Sequence, residues 1–543
     1  MLREYLDSVS KRWYNLKPRA FVEFAIEEIE RYWNENNFFV IEAPTGYGKS
    51  TISASLALYS IEEEFKCIVT YPLRSLLEDQ FKKFAKLAKE EFVGKRYMHN
   101  PDSPYLIKPI TLTTVDTLSL NLFGISPEDL EKVYAEKSYG HYFFAIASVV
   151  FSNLILDEVH LLADSTKSLS FLVSLLKIAK KFDQRVFLMS ATLPSALKIK
   201  LEENGLGRFI SFDKTSDRDF YSQRVEKKYK IEIECLNTAE KFERILDWTK
   251  DDNFSKALII FNTIEEAVKF YDFLSENGQE ALLIHSRFVE RDREEKIEKL
   301  KKNRIVIATQ VVEAGVDISS DLLISDIAPA SSLIQRFGRF LRYEEEGGNI
   351  FVWFEKTEKD EFYKVYNKDL VEKTLKWLKE NSNELKVHLP SVDNGKGYAE
   401  FLEAVYTQED FKIDRKVVEE LESIHWNLEG ISKKSIDILF NMMGSFVREG
   451  IQIPVTVERN GEAFKASKFV KECVVPLSLR NFKKANVQGI YTKEGNQIKL
   501  SRKGLVEKLN KSDPRIVYRA ILKENIVAFL IDGFYDSKSG LRL

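Results

Sequence analysis

The sequence predicts an α/β chain with two tandem parallel-sheet domains, each flanked by helices, then a helical linker and a small C-terminal domain. Three observations predict it. The chain has 543 residues, and single cores rarely grow beyond about 250–300 residues. Apolar runs alternate with helix-compatible runs in two blocks, which is the pattern of parallel sheets covered by helices. The pattern stops near Lys356, where charged helical stretches take over.

In the first block the predicted strands are Phe38–Glu42, Phe65–Tyr71, Ile110–Thr113, Asn153–Asp157 and Arg185–Ser190, with helices such as Leu73–Lys89 and Thr166–Lys180 between them. The charged stretch Asp213–Lys230 reads as a linker. Alternation resumes with Ala257–Phe261, Ala281–His285, Arg304–Ala308, Leu322–Ile327 and Asn349–Phe354. The expected domains are 1–215, 216–358, a helical linker over 359–425 and an accessory domain over 426–543. Ligands of such sheets bind beyond the C-terminal strand ends.

Composition bounds the partners. The net charge is −3, with 44% hydrophobic and 30% charged residues, so any nucleic-acid site is a local patch. Between Gly461 and Ala520 there are 14 Lys/Arg against 5 Asp/Glu; this is either a solvated surface or a basic face for nucleic acid or a partner. Three dispersed cysteines, Cys67, Cys235 and Cys473, exclude a disulfide scaffold and a zinc knuckle, and fit a reducing cytoplasm. No signal peptide or membrane span is expected, because the apolar run Tyr142–Leu156 is short and carries Ser148, Ser152 and Asn153.

The strongest motif is EAPTGYGKS, Glu42–Ser50, between an apolar strand and a helix. Ala43 stands where the usual pattern has its first glycine. Gly46 and Gly48 permit positive φ, so backbone N–H groups turn inward on a phosphate. The helix start adds its positive end. Ala43, Pro44, Thr45, Gly46, Tyr47, Gly48, Lys49, Ser50 and Thr51 form the expected phosphate site. Lys49 would reach the β/γ-phosphates, and Ser50 would hold Mg²⁺.

Four more motifs follow in order. LILDEVH, Leu154–His160, ends a strand in two carboxylates: Asp157 to hold Mg²⁺ and Glu158 to deprotonate the attacking water. SAT, Ser190–Thr192, offers Ser190 and Thr192 hydroxyls that, with His160, can couple nucleotide state to a second site. In ATQVVEAGVDIS, Ala308–Ser319, Gly315 suits a tight turn, and Asp317 can meet the ribose or a shared water. In LIQRFGRFLR, Leu333–Arg342, Gln335, Arg336, Arg339 and Arg342 would be brought across a cleft. Read as one helix, Arg336 and Arg339 share a face, suited to a γ-phosphate and its transition state.

This ordered set, with YPLRSLLEDQ, TLTTVDTL, IIFNT and LIHSRF, resembles the superfamily 2 DExH helicases over roughly residues 15–345. Within them it is most similar to the CRISPR-associated helicase of type I interference, on NTIEEA, LIHSRF, TQVVEAGVDIS, SSLIQRFGR and the closing FYDSKSG. The resemblance implies two RecA-like domains, ATP and Mg²⁺ as cofactors, and DNA-backbone contacts by Pro72, Arg74, Thr113, Thr114 and Asp116 from the first domain. From the second it implies contacts by Asn262, Thr263, His285, Ser286, Arg287 and Thr309. His285 alone fits a satisfied strand-end histidine equally well. The resemblance further implies 3′-to-5′ translocation on single-stranded DNA, a C-terminal cap on the DNA channel, and recruitment to a guide-RNA surveillance complex of the Cascade type.

Two departures stand out. NLKPRAFVE, Asn15–Glu23, lacks the glutamine with which such helicases select adenine, leaving Arg19 or Phe21 to stack on or bond the base. None of the six histidines precedes an aspartate, so a fused HD nuclease is not expected and cleavage would fall to a separate subunit. The alternatives are another superfamily 2 motor acting on RNA or in DNA repair, and a nucleotide-gated clamp that does not unwind.

Overall fold

The computed structural model describes residues 1–543 apart from 98–99, 101, 135–136, 138–139, 206, 251–253, 356–364, 426–430, 451 and 502–512. Arg502, Lys503, Lys508 and Lys511 of the basic stretch therefore lie outside the described residues, as do Trp426 and the boundary expected at 358.

The first sheet has strands β1 Phe38–Glu42, β2 Lys66–Tyr71, β3 Val93–Arg96, β4 Ile110–Thr114, β5 Ser152–Leu156, β6 Val186–Ser190 and β7 Arg208–Ser211, in the order β3-β4-β2-β5-β6-β1-β7. All its pairings are parallel. Strands β1, β4, β5 and β6 are buried along their whole length, because helices cover both faces; that is why they read as unbroken apolar runs. The helix Lys49–Glu62 is buried nearly all round. Its small serines make this possible: Ser55 and Ser60 return their hydroxyls to the carbonyls of Thr51 and Leu56, 2.8 Å each.

The second sheet is β8 Lys228–Leu236, β9 Ala257–Ile260, β10 Leu282–Ile284, β11 Ile305–Ala308, β12 Leu322–Asp326 and β13 Gly347–Glu355, ordered β10-β11-β9-β12-β13-β8 and again all parallel. Helices Lys368–Asn381, Tyr398–Val405 and Arg415–Ile424 follow. A mixed five-stranded sheet, Gln452–Thr456, Val475–Ser478, Val487–Glu494, Gln497–Ser501 and Ile526–Ile531, forms the small C-terminal domain. The chain closes in a hairpin, Phe534–Asp536 with Gly540–Arg542. No helix among the described residues is long and apolar enough to cross a membrane.

The stretch Asp213–Lys230, which joins the two sheets, carries a short helix. Asp217 caps the helix Arg218–Val225 by accepting from Phe220 N at 3.0 Å, and Phe220 is buried. Two of its charged residues bond backbone carbonyls of the second domain: Arg224 those of Leu341 and Arg342, Lys227 those of Tyr343 and Glu345.

Candidate nucleotide cleft

The loop after β1 has the backbone its sequence requires. Gly46 and Gly48 take φ +75° and +126°, and the helix starts at Lys49. Lys49 Nζ donates to Ala43 O at 3.0 Å, so the lysine folds back over its own loop. Ala43 N donates to Ser190 O at 3.1 Å, which joins the phosphate loop to the SAT segment. Glu42, which the motif reading passed over, strengthens that joint. Its buried carboxylate accepts from Leu193 N (2.7 Å) and Ser211 Oγ (2.6 Å) and pairs with Lys198 (2.6 Å). A carboxylate ending the apolar strand FFVIE was the available signal.

Around the loop, Arg19 donates to Gly46 O and Tyr47 O at 3.0 and 3.1 Å and lies over the Tyr47 ring. Phe21 is fully buried against Tyr47 and Phe212. It therefore has no face to stack on a base, which removes one of the two residues considered for that role. Tyr47 is itself core, not a ligand surface: its hydroxyl accepts from Phe21 N at 3.1 Å and donates to Asp217 at 2.5 Å.

The carboxylate pair follows β5. Glu158 sits in the left-handed region, φ 50°, a conformation that costs a non-glycine residue free energy and marks sites where a side chain must be aimed. Its N–H donates to Asp157 Oδ1 at 2.9 Å. Burial, with Glu158 beside it, pushes the Asp157 carboxyl up to about 7. Burial acts against Glu158 ionisation too, but Lys49, then His160, Arg339 and Arg342, hold its carboxyl below the ordinary value. Glu158 is thus the anion of the pair at neutral pH. Ser190 Oγ donates to Thr192 O at 3.0 Å and lies 3.1 Å from His160 Nδ1. With the hydroxyl proton on Thr192 O, Nδ1 carries the imidazole proton. Burial lowers the His160 pKa, so the ring is neutral.

The second domain faces this loop directly. A Cβ at Gly338 would lie 2.6 Å from Thr45 Oγ1, and one at Gly315 would lie 2.6 Å from Leu76 N, at the start of helix Arg74–Phe84. Arg74 crosses the same boundary to Glu290 and stacks on Tyr97. The three arginines part company. Helix Ala330–Phe337 ends at Gly338, so Arg339 and Arg342 leave the helical phase that grouped Arg336 with Arg339.

Arg336 is corrected from a phosphate ligand to a core residue. It is fully buried, and it donates to Glu313 and Ser325 (2.9 Å), Asp326 O (2.8 Å), Asn262 Oδ1 (2.9 Å) and Tyr366 (3.1 Å). No donor is left for a phosphate. Arg339 is buried, donates to Val312 O and Glu313 O at 2.9 Å, and its charge is felt by Glu158. Arg342 lies on the phosphate loop, its Nε 3.1 Å and Nη2 3.4 Å from where a Gly46 Cβ would be. Gln335 is buried. Asp317 is held by Tyr343 and Lys301 (3.0 Å) and sits 3.9 Å from Arg342 Nη1. Against partial desolvation, those hydrogen bonds bring its carboxyl to about 2. It serves Arg342 as a counter-charge and remains exposed to solvent.

The residues expected to grip DNA are largely committed within the protein. Thr113 is buried and donates to Arg96 O at 2.7 Å; Thr114 caps helix Val115–Leu122. Asp116 and Pro72 O both accept from Arg448 (2.8–2.9 Å), a residue of the C-terminal part. Asn262 bonds Ile327 O and Arg336, and Thr309 is buried. Arg287 pairs with Glu265. His285 is fully buried beneath the closing hairpin, with Nε2 3.0 Å from Ser539 O. Thr263 caps helix Ile264–Glu276, and Ser286 alone of the set is exposed. In this arrangement the His285, Arg287, Asn262, Thr113 and Asp116 side chains are protein contacts, because the C-terminal part and neighbouring loops supply their partners.

The cleft fits a nucleoside triphosphate. Arg342 Nε and Nη1 and Glu158 Oε2 are buried at it and have no hydrogen-bond partner, and the loop N–H groups and Lys49 converge there.

Two parallel-sheet domains with this paired site define a DExH helicase core. The particular kind emerges from comparison. Residues 23–199 match the DEAD/DEAH box helicase family, and residues 253–345 match the C-terminal region of the CRISPR-associated nuclease/helicase Cas3. These two regions thus carry a DEAD/DEAH box helicase domain and a Cas3-like helicase C-terminal domain. It is 26% identical over 378 residues to the CRISPR-associated nuclease/helicase Cas3 of Methanothermobacter thermautotrophicus, covering 62% of this chain and 42% of that one. With the Streptococcus thermophilus Cas3 the identity is 26% over 398 residues, 61% and 42% of the two chains. The chain spans about half or less of the length of these curated relatives. The ADP-bound T. fusca Cas3 structure superposes with a TM-score of 0.66 at 16% identity, covering 99% of this chain and 72% of that one. A chain of a CRISPR RNA-guided surveillance complex, pre-nicking, gives 0.61 at 16%, covering 97% and 70%.

Proposed function

We propose that this chain is an ATP-driven, single-stranded-DNA translocase and helicase of CRISPR interference, moving 3′ to 5′ and working with a separate HD nuclease and a guide-RNA surveillance complex. The observation that carries the ATPase reading is the cleft: Lys49, Asp157 and Glu158 on one wall, Arg339 and Arg342 on the other, with Arg342 on the phosphate loop. The role in interference is supported by the Cas3-like helicase C-terminal domain and by likeness to a chain from a surveillance complex. A separate nuclease is supported by the lack of any His-Asp dipeptide in the sequence.

In this reading Lys49 leaves Ala43 O for the β/γ-phosphates. Ser50 and Asp157 would hold Mg²⁺, which would supply neutralisation of the phosphate charge. Glu158, kept anionic by the surrounding cations, takes the proton of the attacking water. Arg342, with Arg339 behind it, meets charge that grows on the γ-phosphoryl oxygens. The His160–Ser190–Thr192 chain and Ala43–Ser190 bond tie the loop to the SAT segment, so a change of nucleotide is felt there. Hydrolysis shifts the second domain against the first and so moves the two DNA grips relative to each other.

The test is ATP turnover with single-stranded DNA, duplex DNA and RNA, beside strand displacement. Stimulation by single-stranded DNA with displacement is expected. Stimulation by RNA alone, or turnover without displacement or translocation, overturns the reading. Lys49→Ala with undiminished turnover refutes the ATPase assignment itself.

A further inference from the structure

A short helix between the two domains touches both sides of the cleft. Its N-cap, Asp217, accepts from Phe220 N at 3.0 Å through one carboxylate oxygen and from Tyr47 OH at 2.5 Å through the other. Tyr47 belongs to the phosphate loop. Phe220, one turn on, packs edge to face on the Tyr47 ring at 4.9 Å. At the far end, Arg224 donates to Leu341 O at 2.8 Å and Arg342 O at 2.6 Å. Lys227 donates to Tyr343 O and Glu345 O at 2.7 Å.

The segment so held needs holding. Leu341 takes φ 42°, a left-handed conformation that leucine resists. Otherwise the backbone of Leu341 and Arg342 is fixed by Ser320 O (2.8 Å) and Ser319 Oγ (2.9 Å), both within the second domain. Those contacts shape the turn but do not relate it to the first domain. Arg224 and Asp217 do, because the same eight-residue helix ends on the turn and begins on the phosphate loop. The Arg342 guanidinium, with Nε and Nη1 buried and without a hydrogen-bond partner, projects from that turn onto Gly46.

We propose that helix Arg218–Val225 is a strut that sets the Arg342 guanidinium against the phosphate loop, with Arg224 and Asp217 as positioning residues for hydrolysis. The proposal rests on the ATPase reading above. A donor misplaced by an ångström loses much of its effect on a transition state, while ground-state binding by the loop and Lys49 survives. The strut therefore acts on kcat, and it acts through Arg342.

The test is a double-mutant cycle in steady-state ATP hydrolysis. Arg224→Gln is expected to lower kcat about tenfold, with the KM for ATP within about threefold of wild type. Made in an Arg342→Ala background, the same change is expected to lower kcat less than about twofold. Arg224→Lys, which keeps the charge and one donor, should fall between wild type and Arg224→Gln. Tyr47→Phe removes the hydroxyl that donates to Asp217 and accepts from Phe21 N; assayed well below its own melting transition it should still lower kcat, which answers any variant that folds poorly. Equal losses in both backgrounds, or wild-type kcat for both Arg224→Gln and Tyr47→Phe, overturn the strut. In either of those cases a dead Lys49→Ala leaves the ATPase reading standing; an active Lys49→Ala overturns both.

Discussion

Arg342 lies on Gly46 across the domain boundary: a Cβ at that glycine would be 3.1 Å from its Nε. Six residues earlier, Arg336 points the other way and saturates its donors inside the second domain. The two arginines should fail differently. Arg336→Ala leaves Glu313 buried without its ion-pair partner, so it should destabilise the fold by about 3–5 kcal/mol. Arg342→Ala should leave the denaturant midpoint unchanged and lower ATP turnover by about 10²–10³. Chemical denaturation and turnover on both variants decide it.

That contrast shows what the sequence discloses. The phosphate loop and the paired carboxylates were legible because their chemistry lies in contiguous residues at strand ends. The buried strands were legible as apolar runs. Strand β8, KYKIEIECL, was not: it is an edge strand whose outer residues are charged, so its alternation hides within a polar stretch. The arginine roles were hidden because a three-residue spacing implies one helical face only while the helix lasts, and it ends at Gly338. The commitment of His285 to Ser539, 254 residues away, depends on a tertiary docking that no local pattern records.

Asp326 gives a pH dependence. Burial, with Glu266 nearby, pushes its carboxyl up to about 8, and Oδ1 has no hydrogen-bond partner. The folded pKa exceeds the unfolded one. Its stabilising contribution is therefore complete at pH below about 4 and is lost as pH rises through about 8. Asp326→Asn cannot ionise and is expected to melt higher than wild type at pH 9, with the gap closing towards pH 5. Thermal melts of both proteins across this range check it; a gap that widens as pH falls contradicts it.

The closing hairpin sets the state of His285. It covers the ring, and burial lowers the imidazole to about 3. Tyr535 donates to Asp292 at 2.7 Å, Lys296 donates to Lys538 O at 3.0 Å, and Arg542 pairs with Asp272 at 2.8 Å. Removing residues 534–543 should return the His285 pKa towards about 6.5, followed by imidazole NMR. An unmoved titration would show that the hairpin is not what buries the ring. Arg542→Ala alone should cost no more than about 1 kcal/mol, since that pair is more than a third exposed.

The central claim is that Glu158, aimed into the cleft opposite Arg339 and Arg342, activates water for ATP hydrolysis driven by single-stranded DNA. The most direct measurement is steady-state ATP hydrolysis by wild type and Glu158→Gln, with and without single-stranded DNA, beside equilibrium nucleotide binding. The expected result is DNA-stimulated turnover by wild type and a loss of about 10²-fold or more in Glu158→Gln, with nucleotide binding retained. Equal turnover by the two proteins, or wild-type turnover indifferent to DNA, would contradict it.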